Sequence, residues 1–290
     1  MADVFSKAIS SKATKNGSVI TTTSVTANYV SDQNRAISGV SENTLETKYE
    51  NSFDDPTYYG GGGLTRGLLG YYRLEESSGV RFNRGTYGSS LHLTDNNTVG
   101  TTTGKVAIQG NTGTAAFFTR GNSEYLSLSS PSVFNPGNTD FSISTWFKID
   151  SSLPSTNQNI FGLWGNSGSR AYKLFYNGAN QNIYFYVSNN GTATQTIGNS
   201  AVSTNTWYNI TVVHSNGGTP STTAYLNNSS IGTTGHTVFK VGAVAFVLGG
   251  IADGTDYYNG ALDDFAFWNK TLTADEVSEV YNSGSGKVLR

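Results

Sequence analysis

The sequence predicts an all-β fold, a sandwich or a barrel, and three features of its 290 residues carry that expectation. Charged residues make up only 13%, about half the usual share, and Gly, Ser, Thr and Asn take their place. Apolar and polar residues alternate over short runs. In FSISTWFKI, Phe141, Ile143, Thr145, Phe147 and Ile149 oppose Ser142, Ser144, Trp146 and Lys148, the period-2 signature of a half-buried strand. The runs also end in turn residues, as in AYKLFYNG, NIYFYVSNNG, WYNITVVHSNGG, STTAYLNNSS and AVAFVLGG.

Taken in order, the chain opens on a stretch unlike the rest. Residues 1–59 have few large apolar side chains, and these occur singly, too thinly to build a core that offsets chain entropy. Over residues 1–67, six Lys or Arg face seven Asp or Glu, so this is not a basic nucleic-acid arm. The expectation is an extended arm that anchors by docking onto another chain. Gly60 to Gly63 open a glycine-rich hinge over 60–67, and a β domain fills 68–290. One short helix closes the chain. Thr273 and Glu276 have capping-box spacing, Val277, Val280 and Tyr281 share a face, and Gly284 is a stop.

Several function classes fall away on composition. The formal net charge of -2 offers no field for nucleic acid or anionic lipid. The chain has no cysteine, so disulfides, thiol nucleophiles and cysteine-based zinc sites are excluded. No apolar run reaches the length of a membrane helix, and the N-terminus shows no apolar signal-peptide region, so neither a membrane nor a secretory segment is expected. His92, His214 and His236 sit in polar or turn-like contexts, as surface or strand-end residues, and no G-x-S-x-G elbow occurs. The GGGG at 60–63 lacks the Lys-Ser or Lys-Thr of a phosphate loop.

Residues 68–285 resemble a laminin-G-like, concanavalin A-like jelly-roll domain. The resemblance rests on LLGYYRLEESSGVRFNRGTYGSSLHL, on FSISTWFKID, on the pair WYNITVVHSNGG and STTAYLNNSSIG, and on VLGGIADGTDYYNGALDDFAFWNKTLTADEVSEVYNSG. It implies two antiparallel sheets packed face to face, one of them concave. Two departures remove carboxylates that the family often has: Asn227-Asn228 stand at its Y-x-D-G turn, and Asn83 stands in its first Gly-rich turn.

Glycoside hydrolysis needs two carboxylates about 5–10 Å apart. No E-x-D-x-E pattern occurs, and residues 151–252 contain no Asp or Glu, so no catalytic residues are expected. Asp263 and Asp264 lie side by side in the last strand and are expected to point to opposite sides of it. The resemblance implies one calcium ion. Its candidates are Asp263 with Glu75, and Asp253 with Asp256 would form a separate rim site. The other reading is that Asp263 accepts backbone N–H bonds at a strand crossover and that Asp264 is solvated. For sugar stacking the candidates are Trp164, Tyr257 and Tyr258, with Tyr184 and Tyr186 sharing one face of NIYFYV. Trp146 and Trp207 are read as strand residues of the core.

A core-less arm, a glycine hinge, no cysteine and an uncharged β domain lead to one expectation: a virion structural protein, of a bacteriophage, decorating the capsid or another particle surface. That phage particles carry such modules is what the resemblance implies. The arm would hold a capsid or other virion protein, the chain would be a homo-oligomer in the assembly, and the outward domain would bind glycans. The alternative is a secreted or cell-surface carbohydrate-binding module without catalytic activity, at an extracellular location. A third reading is an oligomeric appendage in which arms from several copies pair.

Overall fold

The computed structural model describes residues 26–31, 34–38, 63–108, 111–129, 132–152, 155–235, 238–240 and 244–289. Most of the expected arm, Gly60 to Gly62 of the expected hinge, and His236 lie outside these residues. The chain divides into two compact units at residues 61/62. In the first, β1 (Thr26–Ser31) pairs antiparallel with β2 (Asn34–Ser38), with a register shift between Asn28 and Ser31.

The second unit is a two-sheet antiparallel sandwich. Its strands are β3 (Leu68–Tyr72), β4 (Thr94–Asn96), β5 (Gly100–Ile108), β6 (Asn111–Phe118), β7 (Tyr125–Leu128) and β8 (Phe141–Ile149). They continue as β9 (Gln158–Trp164), β10 (Arg170–Asn177), β11 (Asn182–Val187), β12 (Gln195–Ala201), β13 (Tyr208–Ser215) and β14 (Ser221–Leu226). The last three are β15 (Ser229–Thr234), β16 (Phe246–Leu248) and β17 (Gly260–Trp268). One sheet has the order β12-β11-β10-β9-β16-β7-β4, and the other β15-β14-β13-β8-β17-β6-β5, with β3 also pairing β17. Alternate residues of both sheets meet in one core that includes Ile143, Phe147, Phe161, Tyr172, Phe185, Ile210 and Phe265. Burial of this apolar area is the main drive to fold, at about 25 cal/mol per Å².

A second apolar cluster covers the outer side of the eight-stranded sheet. Helix α1 (Ala274–Tyr281) sets Val277 and Val280 there against Leu64, Tyr71 and Trp268. Thr273 accepts from the Glu276 amide and Glu276 answers at the Thr273 amide, the capping box that the spacing predicts. Tyr281 stacks on Trp146, with ring centroids 5.8 Å apart.

The packing changes four expectations. Strand β8 is buried along both faces up to Phe147, not half-buried, because Ser142, Ser144 and Trp146 lie under that cover. Trp207 precedes β13 and is half-buried, with the Lys148 ammonium 5.0 Å from its ring. His214 is fully buried between Phe141 and Phe239, with Nδ1 2.9 Å from the Thr222 hydroxyl, so it is not a surface residue. Residues 63–67, read as hinge, pack on the domain: Leu64 is buried, and its carbonyl accepts from the Trp268 indole at 2.6 Å.

Asn83 explains one departure from the family pattern. Its side-chain oxygen accepts from the amides of Tyr71 (2.7 Å) and Gly85 (2.9 Å), while its nitrogen donates to the carbonyls of Leu69 and Gly88. A carboxylate would bring an acceptor against two acceptors. Asn83→Asp is therefore expected to destabilise the domain by roughly 2 kcal/mol, read as a lower denaturant midpoint. At the other departure, Asn227 and Asn228 have φ of +49° and +65°, the left-handed pair a two-residue hairpin turn requires.

Candidate functional site

Two sets of side chains were candidates, the carboxylates and the aromatics. The carboxylates lie in a β-bulge. Asp263 pairs with Trp146, but the next pair is Ala266 with Ser144, so β17 carries one extra residue. Asp264 takes it up with φ +47°. Leu262 and Phe265 therefore both reach the inter-sheet core, and Asp263 and Asp264 both lie outside it. The expected opposite orientation is corrected by this bulge.

Neither carboxylate faces solvent, so Asp264 is not the solvated residue of the second reading. Asp263 is fully buried and Asp264 nearly so. The β5–β6 register skips from Thr103 to Ala107, and Asp263 Oδ2 accepts from two amides within that gap, Lys105 (2.7 Å) and Val106 (3.0 Å). Glu75 serves the other strand, accepting from the Thr114 amide at 3.0 Å. The Tyr71 hydroxyl donates to Asp264 Oδ1. Burial, opposed by those amide bonds and helped by the Glu75 charge, pushes the Asp263 carboxyl up to about 7. Burial and the Asp263 charge push Asp264 up as well. Asp263 Oδ1 has no hydrogen-bond partner among the described residues.

That orphaned oxygen and the nearby Glu75 are hard donors of the kind calcium takes. Calcium needs about 6–8 oxygens. Among the described residues no group of three His, Cys, Asp or Glu is arranged to hold a metal ion. Carbonyls and water would have to supply most of a shell. At the expected rim site, Asp253 accepts from Thr255, and Asp256 pairs with Arg120 at 3.5 Å.

The aromatics form a surface on the outer face of the seven-stranded sheet. Tyr172, Leu174 and Tyr176 point to the core, which turns Lys173 and Phe175 outward; Ile183, Phe185 and Val187 do the same for Tyr184 and Tyr186. The three rings are half-buried and contiguous. Phe175 and Tyr184 stack at 5.3 Å, and Tyr186 stands edge-on 4.7 Å from Phe175. Of the aromatics singled out in the sequence, Tyr258 is fully buried and offers no face to a ligand. Trp164 is only 4% exposed, with Arg170 and Lys173 5.6 and 5.2 Å from its ring. Tyr257 is half-buried and stacks on Tyr125 at 5.9 Å. Strands β9 to β12 and β16 carry no carboxylate on this sheet.

The sequence model of the concanavalin A-like lectin/glucanases superfamily matches residues 120–278. The chain belongs to this family. In solved structures the concanavalin A-like chain is similar to the binding domain of paraclostridial mosquitocidal protein 1, at 14% identity and a TM-score of 0.59 over 76% of this chain and 53% of that one. It is similar also to the receptor binding domain of the botulinum neurotoxin C/D mosaic serotype (14%, TM-score 0.54, 76% and 52%). A third is the binding domain of botulinum neurotoxin DC, solved in complex with rat synaptotagmin II (14%, TM-score 0.52, 76% and 52%). The chain spans about half the length of these structures. At this identity the likeness shows the fold. No curated protein matches the sequence.

Proposed function

We propose that this concanavalin A-like domain is a non-catalytic binding module whose outer aromatic face takes glycans, carried on the surface of a virion by residues 1–59. One observation carries the binding reading. Phe175, Tyr184 and Tyr186 make a contiguous, half-exposed aromatic platform on a sheet face whose strands β9 to β12 lack the carboxylates a hydrolase requires. Rings of this kind stack on the apolar faces of pyranoses.

The particle role is supported by the core-less composition of residues 1–59. The proposal includes a capsid or other virion protein as the arm's partner, and several copies of the chain in the assembly. It includes one calcium ion at Asp263 and Glu75, supported by the unpartnered Oδ1.

Two experiments test the reading. On a glycan array, the full chain is expected to bind, and Tyr184→Ala with Tyr186→Ala to weaken binding about tenfold, since stacking is worth about 0.5–1.5 kcal/mol per ring. Equal binding by the double variant counts against this face. Deleting residues 1–61 is expected to abolish particle incorporation while the remaining unit stays folded. A truncated chain that still loads onto particles removes the anchor.

A further inference from the structure

We infer that the glycan taken by this face is anionic, its carboxylate or sulfate group seated on the Lys173 ammonium between the rings of Trp164 and Phe175. The inference rests on the glycan reading above and narrows its substrate class.

Lys173 stands beside the platform, between Phe175 and Trp164. It pairs with Gly162 of β9 on one side and with Tyr186 of β11 on the other. Gly162 leaves room for it: a Cβ there would lie 2.9 Å from the Lys173 Cβ. The ammonium lies 5.2 Å from the centroid of Trp164 and 4.7 Å from that of Phe175. It donates to one neutral acceptor, Asn159 Oδ1, at 3.0 Å. An ammonium has three donors. None of the ion pairs among the described residues includes Lys173.

Two carboxylates, Asp256 and Asp253, act on this cation, but neither forms an ion pair with it among the described residues. Arg170 approaches the same indole and donates to the Thr192 carbonyl. Asp256 is paired with Arg120, and Asp253 is bound within its own loop by Thr255. Burial pushes the Lys173 amine down to about 8; Asp256 and Asp253 oppose that shift, and Arg170 adds to it. A half-desolvated ammonium with rings on its flanks and no carboxylate in ion-pair contact is a seat for an external anion. A charge-assisted hydrogen bond there is roughly twice as strong as a neutral one. A neutral sugar gains only stacking and ordinary hydrogen bonds.

The sign of the pH dependence follows. An anion binds the protonated amine, so affinity is flat below pH 8. Above it, affinity falls by up to tenfold per unit as the free amine loses its proton.

The test uses the full chain and paired polymers: polygalacturonate against its methyl ester, and dextran sulfate against dextran. The charged member of at least one pair is expected to bind about tenfold more tightly at pH 7. That preference should vanish in Lys173→Met, be largely kept in Lys173→Arg, and shrink between pH 8 and pH 10. Equal binding of charged and neutral polymers, or a preference that survives in Lys173→Met, overturns the inference. If Tyr184→Ala then abolishes both equal signals, the glycan face stands and only the anion seat fails. Silence with all four polymers also overturns it, and the glycan reading falls with it only if the wider array is silent too.

Discussion

Raising the pH from 4 to 8 is expected to lower the stability of the sandwich, and Asp263→Asn is expected to remove much of that slope. In the unfolded chain the Asp263 carboxyl ionises near 3.8, and burial at the bulge moves it to about 7 in the folded chain. Between those values the unfolded chain has released a proton that the folded chain keeps. Stability therefore falls as pH rises, by an amount on the order of 4 kcal/mol for this group if it acts alone. Asp264 shifts in the same direction and adds to the slope. Glu276 behaves oppositely: hydrogen bonds from Lys270 and Thr273 outweigh its burial and lower its pKa, so its contribution is lost in acid, below about 4.5. Lys173, its amine pushed down to about 8, starts to titrate only at the top of this window. An Asn at 263 keeps an oxygen for the Lys105 and Val106 amides and carries no charge. A thermal melt at each pH reads the result. The same melts test calcium at pH 8: added ion should raise the midpoint of the unaltered chain and leave Asp263→Asn unmoved. A midpoint indifferent to calcium counts against the ion.

Gly232→Val is expected to cost about 3 kcal/mol or more, a fall of roughly 10 °C in Tm. At Gly232 the edge strand β15 of one sheet meets the edge strand β12 of the other. A Cβ added there would sit 2.1 Å from the Ile197 carbonyl oxygen and 2.8 Å from the Gly198 Cα. Both obstacles are backbone, so the two edges would have to separate. Gly121→Ala is the control, because a Cβ at that position meets nothing within 4 Å. A Gly232→Val protein that melts with the unaltered chain would mean that the edges do not close in this way.

The strands were legible because alternation is a local property. FSISTWFKI, AYKLFYN and NIYFYV each place the core residues the pattern predicts, and the capping box at Thr273 and Glu276 is local too. What failed depended on contacts distant in sequence. Nothing in the DD of β17 signals a bulge, since the extra residue exists only against the register of β8. His214 reads as a strand-end residue until Phe239, arriving much later in the chain, covers it. Leu64 reads as hinge until Trp268 accepts it as a neighbour. Trp164 and Tyr258 were chosen by residue type, yet alternation in AYKLFYN already turned Lys173 and Phe175 outward. That signal was present in the sequence and marks the surface more directly than any single tryptophan.

The aromatic face of the seven-stranded sheet is the proposed glycan surface. A crystal structure of the full chain with the best-binding array glycan tests it most directly. A sugar ring is expected stacked on Phe175, Tyr184 or Tyr186, intact, with an acidic group toward Lys173. A glycan bound elsewhere on the domain, or one found cleaved, would contradict it.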